Sequence, residues 1–190
     1  MSDVFIADEE FNGINFLETP LKKGDYDNCI FENCIFSQTD LSHINFINCE
    51  FKDCDLSNSP IKDTAFREVE FYNCKLLGLR FEDCNKMLLA VKFNDCILNM
   101  ASFYQINLKN TPFKNCSLQD TDFTEANLTG VLFDNCNMER TLFENTVLEK
   151  ADLRTSYNYT LDPDINLLKK TRFSKEGIIG LLGKYDILID

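Results

Sequence analysis

The sequence predicts an all-β solenoid, a chain wound into stacked coils, and its repeat pattern is the evidence. Large apolar side chains recur at every fifth position from Ile6 to Phe81 and, after a shift of two residues, from Phe93 to Leu153. Small side chains, which include all nine cysteines, lie two positions before these centres. Neither a helix with a period of about 3.6 residues nor a strand with a period of two buries every fifth residue. The chain must therefore turn at each unit and cover its apolar side with neighbouring units.

A second period, of twenty residues, predicts four five-residue units per coil and about 7.5 coils. Cys34, Cys54 and Cys74 follow this spacing, and Cys96 and its successors resume it after the two-residue shift. We interpret the insertion near residues 85–90 as a small bulge that leaves the coils in register. A binding role for the exposed Met87 within it stays open, because loops on rigid scaffolds often bind partners.

Asn or Asp precedes every cysteine, at the corner of each unit. These side chains bond their own backbone and tolerate turn conformations. We therefore expect a structural role for them.

The repeat pattern ends near residue 158, so we divide the chain into a β-helix over residues 1–158 and a C-terminal cap over residues 159–190. Asp162-Pro163 is a good helix start, and Ser174 is a second helix cap. The cap is predicted to be α-helical, with a short strand over residues 186–190. Gly177, Gly180 and Gly183 permit the close approach of another backbone.

The same segment is the predicted homodimer interface, because its apolar residues exceed what one coil end needs. The candidate interface residues are Ile178, Ile179, Leu181, Leu182 and Tyr185.

Composition indicates a single cytoplasmic domain. A chain of 190 residues is long enough for one sizeable core. The N-terminus has neither the basic region nor the apolar run of a signal peptide, and no stretch is long and apolar enough to span a membrane. We therefore expect the nine cysteines to be reduced thiols in the cytoplasm.

The net charge of −12 lies entirely on the predicted solenoid, because residues 156–190 contain five acidic and five basic side chains. With coils spaced like neighbouring strands, the solenoid is a rod of roughly 36 Å. Its charge density is below that of duplex DNA but has the same sign. The rod is therefore an incomplete electrostatic imitation of DNA.

The sequence argues against an enzyme. His43 is the only histidine and falls at an outward position, so a histidine-based nucleophile relay has no support. Cysteine pairs such as Cys29 and Cys34 could be imagined as metal ligands, but their inward positions favour packing as small apolar residues. We expect no catalytic residues, no cofactor and no metal.

The repeat resembles that of pentapeptide-repeat proteins, in which a small residue is followed by Asp or Asn, then Leu or Phe, then two polar positions. Ala126-Asn127-Leu128-Thr129-Gly130 and Ala151-Asp152-Leu153-Arg154-Thr155 match it fully. The resemblance covers residues from about 4 to 155 and implies a right-handed quadrilateral β-helix.

The C-terminal segment resembles that of the quinolone-resistance members of this family, the Qnr and MfpA type. Phe173-Ser174, Leu181-Leu182 and Asp186-Ile187-Leu188-Ile189 carry this resemblance. It implies a rod-shaped dimer that binds DNA gyrase and topoisomerase IV as a DNA mimic, rather than binding nucleic acid or membrane itself.

Outward acidic positions of the solenoid are the candidate partner-binding residues: Glu50, Asp55, Glu70, Glu82, Asp120, Asp122 and Glu125. The alternative function is a structural or adaptor solenoid with an unrelated protein partner, since one fold hosts many functions.

Overall fold

The chain forms an all-β parallel solenoid, and the computed structural model describes residues 4–185 and 187–188 of it. Within these residues, eleven short strands lie in two parallel sheets. The first sheet contains β1 (Val4–Ala7), β3 (Gly24–Asp27), β5 (Asn45–Ile47) and β7 (Ala65–Arg67). The second sheet contains β2 (Glu10–Asn12), β4 (Ile30–Glu32), β6 (Glu50–Lys52), β8 (Val69–Tyr72), β9 (Val91–Asn94), β10 (Pro112–Lys114) and β11 (Leu132–Asp134).

Consecutive turns pair in the register that the second sequence period predicts. Phe11 pairs with Phe31, Phe31 with Phe51, and Phe51 with Phe71, each twenty residues further along the chain. Across the insertion the offset is twenty-two residues, because Phe71 pairs with Phe93. The second sheet therefore continues through seven turns, whereas the first sheet ends at β7, just before the insertion.

The insertion lies on the surface as a bulge. Met87 and Leu88 are 69% and 70% exposed, and Leu88 has a φ of 60°. Leu89 turns back and packs against the core. The two extra residues are thus extruded without interrupting the stacked apolar centres.

The core is a set of stacked columns of large apolar side chains. Every repeat centre from Phe16 to Leu153 is buried, as the five-residue period predicts. In one column, the ring centroids of Phe71, Phe93 and Phe113 are 5.4 and 5.0 Å apart, with interplanar angles of 9° and 18°. Such offset stacking adds to the free energy of burial. The core thus stabilises each turn mainly through its two neighbours.

The small positions hold the turns together by hydrogen bonds as well as by packing. Cys54 Sγ lies 3.3 Å from the carbonyl oxygen of Phe31, in the turn before. Thr121 Oγ1 donates in the same way to Leu98 at 2.9 Å. A cysteine here is therefore a weak donor equivalent to threonine, which the interpretation as a packed apolar residue did not include.

We expect these thiols to react slowly in the native protein. Burial raises the pKa of the Cys49, Cys84 and Cys96 thiols to about 12, so the reactive thiolate is scarce at neutral pH. All nine cysteines are free and buried. Titration with a disulfide reagent should label few thiols before denaturation and nine after it. A disulfide, or stoichiometric zinc found by native mass spectrometry, would contradict this prediction.

The corner residues have the backbone conformation that the sequence predicts. Asn28, Asn33, Asn48 and Asp53 have φ between 52° and 54°, in the left-handed region. Asn and Asp tolerate this region better than most residues. The Asn and Asp preference before each cysteine therefore reflects the turn between successive sides of the solenoid.

The prediction of an α-helical cap is wrong for the described part of the C-terminal segment. Parallel bridges join Val147 to Leu167 and Asp152 to Arg172, so pairing continues past residue 158, the predicted end of the solenoid. Asp162 accepts the backbone N–H of Asp164 at 2.8 Å within a turn, not at a helix start. Hydrogen bonding to the preceding turn is the physical reason, because Asn166 Nδ2 donates to the carbonyl oxygen of Phe143 at 2.8 Å and Thr171 Oγ1 donates to that of Leu148 at 2.7 Å.

Two short 3-10 helices, Gly177–Leu181 and Gly183–Tyr185, close the C-terminal end. Ser174 Oγ accepts the N–H of Gly177 at 2.9 Å in the turn before the first of them, but the N-cap of that helix is Glu176 and not Ser174, the predicted cap. A Cβ on Gly180 would lie 2.2 Å from the carbonyl oxygen of Tyr159, so this glycine permits the close approach that the sequence suggests. Most of the strand predicted over residues 186–190 lies outside the described residues.

Candidate acidic interface

The seven acidic candidates lie on three sides of the solenoid. Glu50 and Glu70 are register partners on the second sheet. Asp55 lies on the next side, in a column of bridges with Ile35 and Lys75. The other four candidates lie on the third side, which contains the bridge between Ser102 and Asp122, or at its corners: Glu82, Asp120, Asp122 and Glu125. The fold therefore does not bring the seven residues into one patch.

Four of these candidates form ion pairs, which neutralise part of their field. The pairs and their N–O distances are Glu50–Lys52 at 2.5 Å, Glu70–Lys92 at 2.6 Å, Glu82–Arg80 at 3.0 Å and Asp120–Arg140 at 2.7 Å. Arg140 approaches both carboxylate oxygens of Asp120 and holds the pKa of that carboxyl below its usual value. Exposed pairs of this kind contribute little to stability, but they remove net negative charge from the surface.

The other three candidates accept hydrogen bonds from neutral groups, so no paired cation offsets their charge. Asp55 accepts the backbone N–H of Ser57 at 2.9 Å, and Asp122 accepts that of Thr124 at 2.8 Å. Glu125 accepts the side-chain amide of Gln105, one turn earlier, at 2.7 Å. These three carboxylates are the members of the candidate set with no ion pair within the described chain.

The negative charge is concentrated in the N-terminal half, a feature that sequence reasoning missed. Residues 1–84 contain 17 acidic and 7 basic side chains, a net charge of −10, whereas residues 85–155 contain 9 and 7, a net charge of −2. A separate count for each half of the repeat would have found it. A partner protein that is attracted by negative charge is therefore drawn mainly to the first four turns.

Five carboxylates of these turns are held by the side-chain amides of asparagines from neighbouring turns. The contacts are Asn28–Asp8 at 2.6 Å, Asn45–Asp25 at 2.5 Å, Asn48–Asp27 at 3.1 Å, Asn12–Glu32 at 2.8 Å and Asn73–Asp53 at 2.5 Å. Each asparagine Nδ2 donates to the carboxylate oxygen. An amide fixes the position of a carboxylate without cancelling its charge. We call these five acidic residues the acidic array.

The acidic array places its charges on neighbouring columns of the solenoid. Stacked rings in the first turns, Phe11 to Phe31 and Phe31 to Phe51, are 4.8 Å apart, which sets the rise per turn. Within a column the array does not repeat, because Asp25 pairs in register with Asn45, and Glu32 lies between Asn12 and Lys52. The acidic array therefore presents fixed negative charges on the outside of a rigid rod, less densely than duplex DNA, which carries one phosphate per roughly 3.4 Å along each strand.

The five candidate dimer-interface residues of the C-terminal segment differ in burial. Leu181 packs against the core, and Leu182 is half-buried. Ile178, Ile179 and Tyr185 are 47%, 54% and 52% exposed. The outward apolar surface predicted for this segment therefore consists of these three side chains.

His43 is exposed at a corner, with its Nδ1 3.8 Å from a carboxylate oxygen of Asp63. The part of the chain that the structure describes brings no three histidine, cysteine or acidic side chains into a cluster suited to a metal ion. It likewise contains no helix of the length and apolar character needed to cross a bilayer.

A family model described as "Pentapeptide repeat region" matches residues 24–89 and 86–157. Comparison with curated protein sequences gives no match. Among solved structures, full-length QnrB1, described as a plasmid-mediated fluoroquinolone resistance protein, has a TM-score of 0.47 at 16% identity, over 97% of this chain and 100% of its own. HetL from the cyanobacterium Nostoc sp., a pentapeptide-repeat protein involved in heterocyst differentiation regulation, has a TM-score of 0.34 at 15% identity, over 89% and 86%.

Proposed function

Because the chain belongs to the pentapeptide-repeat family, we propose that it is a non-enzymatic binding protein whose acidic solenoid occupies the DNA-binding surface of another protein. The acidic array is the observation that carries this proposal. Its carboxylates are fixed by neutral amides, so they present negative charge without an ordering cost on binding. Asp55, Asp122 and Glu125 add to the acidic surface on the adjacent sides.

We propose a type II topoisomerase, DNA gyrase or topoisomerase IV, as the partner. The resemblance of the C-terminal segment to quinolone-resistance proteins supports this choice, and a DNA-binding saddle would attract a rigid acidic rod before contact. In this role the protein modulates the enzyme or protects it from quinolones. Right-handed winding with four units per turn is part of the proposal, and the twenty-residue pairing supports it.

A supercoiling assay tests the function. Purified protein is titrated into gyrase with relaxed plasmid, and into topoisomerase IV with supercoiled plasmid, each with and without a quinolone. We expect changed supercoiling or relaxation, or less quinolone-induced cleavage, and a loss of the effect as salt rises. Unchanged activity and cleavage at low salt with excess protein would contradict the proposal.

A homodimer through the C-terminal segment is part of the same proposal. Joining two rods through Ile178, Ile179 and Tyr185 would bury apolar side chains that are about half exposed and would double the length of acidic surface. We expect light scattering to give the mass of a dimer at micromolar concentration. Ile179→Asp should produce monomers with an unchanged melting temperature, because this side chain points away from the core.

The matched control is Leu167→Asp, on the side of the solenoid, where the side chain is 59% exposed. This change places the same charge on an exposed apolar position outside the proposed interface. A monomeric parent protein, or dissociation by both variants alike, would refute the interface.

An adaptor function with an unrelated partner is the second candidate, and a specific surface favours it. The side that carries Asp55 also exposes single apolar residues, with Leu17 at 58%, Ile35 at 46%, Ile97 at 40% and Met100 at 64%. Exposed apolar side chains on a solenoid suit a protein partner. Binding through it would tolerate high salt, whereas binding through the acidic array would not.

A further inference from the structure

Within the described residues, the first turn of the solenoid presents an unpaired sheet edge, and we propose that this edge accepts an extended basic segment of a partner protein as an additional strand beside β2. Both sheets end there, with β1 and β2 as their terminal strands. Addition of a strand to an exposed edge is a common mode of peptide recognition. The inference rests on the end of the rod and does not depend on the proposed topoisomerase partner.

The register of the later turns identifies the free backbone groups of β2. The N–H of Ile30 donates to Glu9, and the N–H of Glu50, one turn further, donates to Cys29. In the same way, the carbonyl of Glu32 accepts the N–H of Gly13, in the turn before it. The equivalent groups of the first turn are the N–H of Glu10 and the carbonyl of Asn12. No earlier turn within the described residues meets them, so both face outward from the edge.

An apolar side chain also lies open at this end. Phe11 stacks on Phe31 with a centroid distance of 4.8 Å and an interplanar angle of 7°. Phe31 is fully buried, because the turns before and after it both cover it, whereas Phe11 and its neighbours Ile6 and Ile14 are half-buried. The outer side of the Phe11 ring therefore offers a stacking position for an aromatic or aliphatic side chain of an incoming strand.

The negative charge at this edge favours a basic partner segment. Asp8, Glu9 and Glu10 are exposed at this edge, with Asp25 on the adjacent strand. Lys22 and Lys23 lie on another side, where Lys23 Nζ is 3.3 Å from a carboxylate oxygen of Asp40, and Lys52, whose charge reaches Glu10, is paired with Glu50 at 2.5 Å. Two copies meeting edge to edge would oppose these carboxylates to one another, and like charges at a strand edge suppress self-association. A segment with alternating basic and apolar residues complements both the charge and Phe11.

A labelled synthetic peptide of alternating lysine and phenylalanine tests the proposal by fluorescence anisotropy with the full chain. A second peptide has the same side chains but N-methyl groups on alternate backbone amides, which removes the ladder hydrogen bonds. We expect the N-methylated peptide to bind about tenfold more weakly, because the hydrogen bond donated to the carbonyl of Asn12 is lost and the methyl groups obstruct the strand pairing. The unmodified peptide should also slow hydrogen exchange at the amide of Glu10.

Glu10→Lys should weaken binding of the unmodified peptide, whereas Glu144→Lys, the same charge change far along the rod, should leave it nearly unchanged. Melting curves of both variants check that the fold persists. Equal affinity for both peptides, or equal weakening by both variants, would show binding to charge alone and would overturn the proposal. So would light scattering that shows the free protein associating through its first turn.

Discussion

Replacement of Phe113 by aspartate is expected to unfold the solenoid. The side chain is fully buried, and its ring stacks between Phe93 at 5.0 Å and Phe133 at 5.1 Å. Truncation of a buried phenylalanine alone costs about 3–5 kcal/mol, and an unpaired buried carboxylate costs more. Since a domain of this kind is stable by only about 5–15 kcal/mol, we expect the cooperative melt to be lost in circular dichroism.

Lys114→Asp is the matched control, because Lys114 follows in the same strand, β10, and is exposed. Surface changes of this kind usually alter the free energy of unfolding by less than about 0.5 kcal/mol. A cooperative melt of Phe113→Asp near that of the parent would mean that the stacked column does not hold the turns together.

Reversal of three charges in the acidic array is expected to abolish partner binding. The triple change Asp27→Lys, Glu32→Lys and Asp53→Lys places positive charge on the surface that would face the basic groove of the partner. Opposed like charges cost several kcal/mol at an interface, so binding to gyrase should weaken at least about a hundredfold. Lysine suits the corner position of Asp53, because Lys150 has a φ of 61° at an equivalent corner. The melting temperature should therefore stay close to that of the parent.

The control is a triple reversal in the C-terminal half, at Asp134, Glu144 and Glu149. It changes the net charge by the same amount but lies outside the first four turns. Surface plasmon resonance at low and moderate salt compares the two variants. Equal weakening would show that net charge, and not the position of the array, determines the affinity.

Much of the fold follows from local pattern. The burial of repeat centres such as Phe93 and Leu118, the twenty-residue pairing and the positive φ of corner residues such as Asn48 all match the sequence prediction. Each is repeated in many units, so a single irregular unit does not obscure it. In the C-terminal segment the apolar repeat is weak in the sequence, and there the local helix signals misled: Asp162 lies at a turn, and the segment after Ser174 forms a 3-10 helix instead of an α-helix.

The surroundings of the outward acidic residues could not be predicted from the sequence, for a different reason. Outward acidic positions are visible in the repeat, but their partners are not. Glu70 is neutralised by Lys92 and Asp120 by Arg140, residues twenty or more positions away. Asp27 and Asp53, which were not among the candidates, form no ion pair within the described residues and accept hydrogen bonds from asparagines of the following turns.

The sequence by itself determined the repeat, the buried centres, the corners and the total charge, because each depends on residue type at a fixed position within five residues. Only the tertiary structure shows which carboxylates form ion pairs and which are held by neutral amides, because their partners meet only when turns stack. It also decided that the chain beyond residue 158 continues to pair with the solenoid, as Leu167 does with Val147. There, burial against the preceding turn outweighs local helix preference, since tertiary packing supplies most of the stability of short elements.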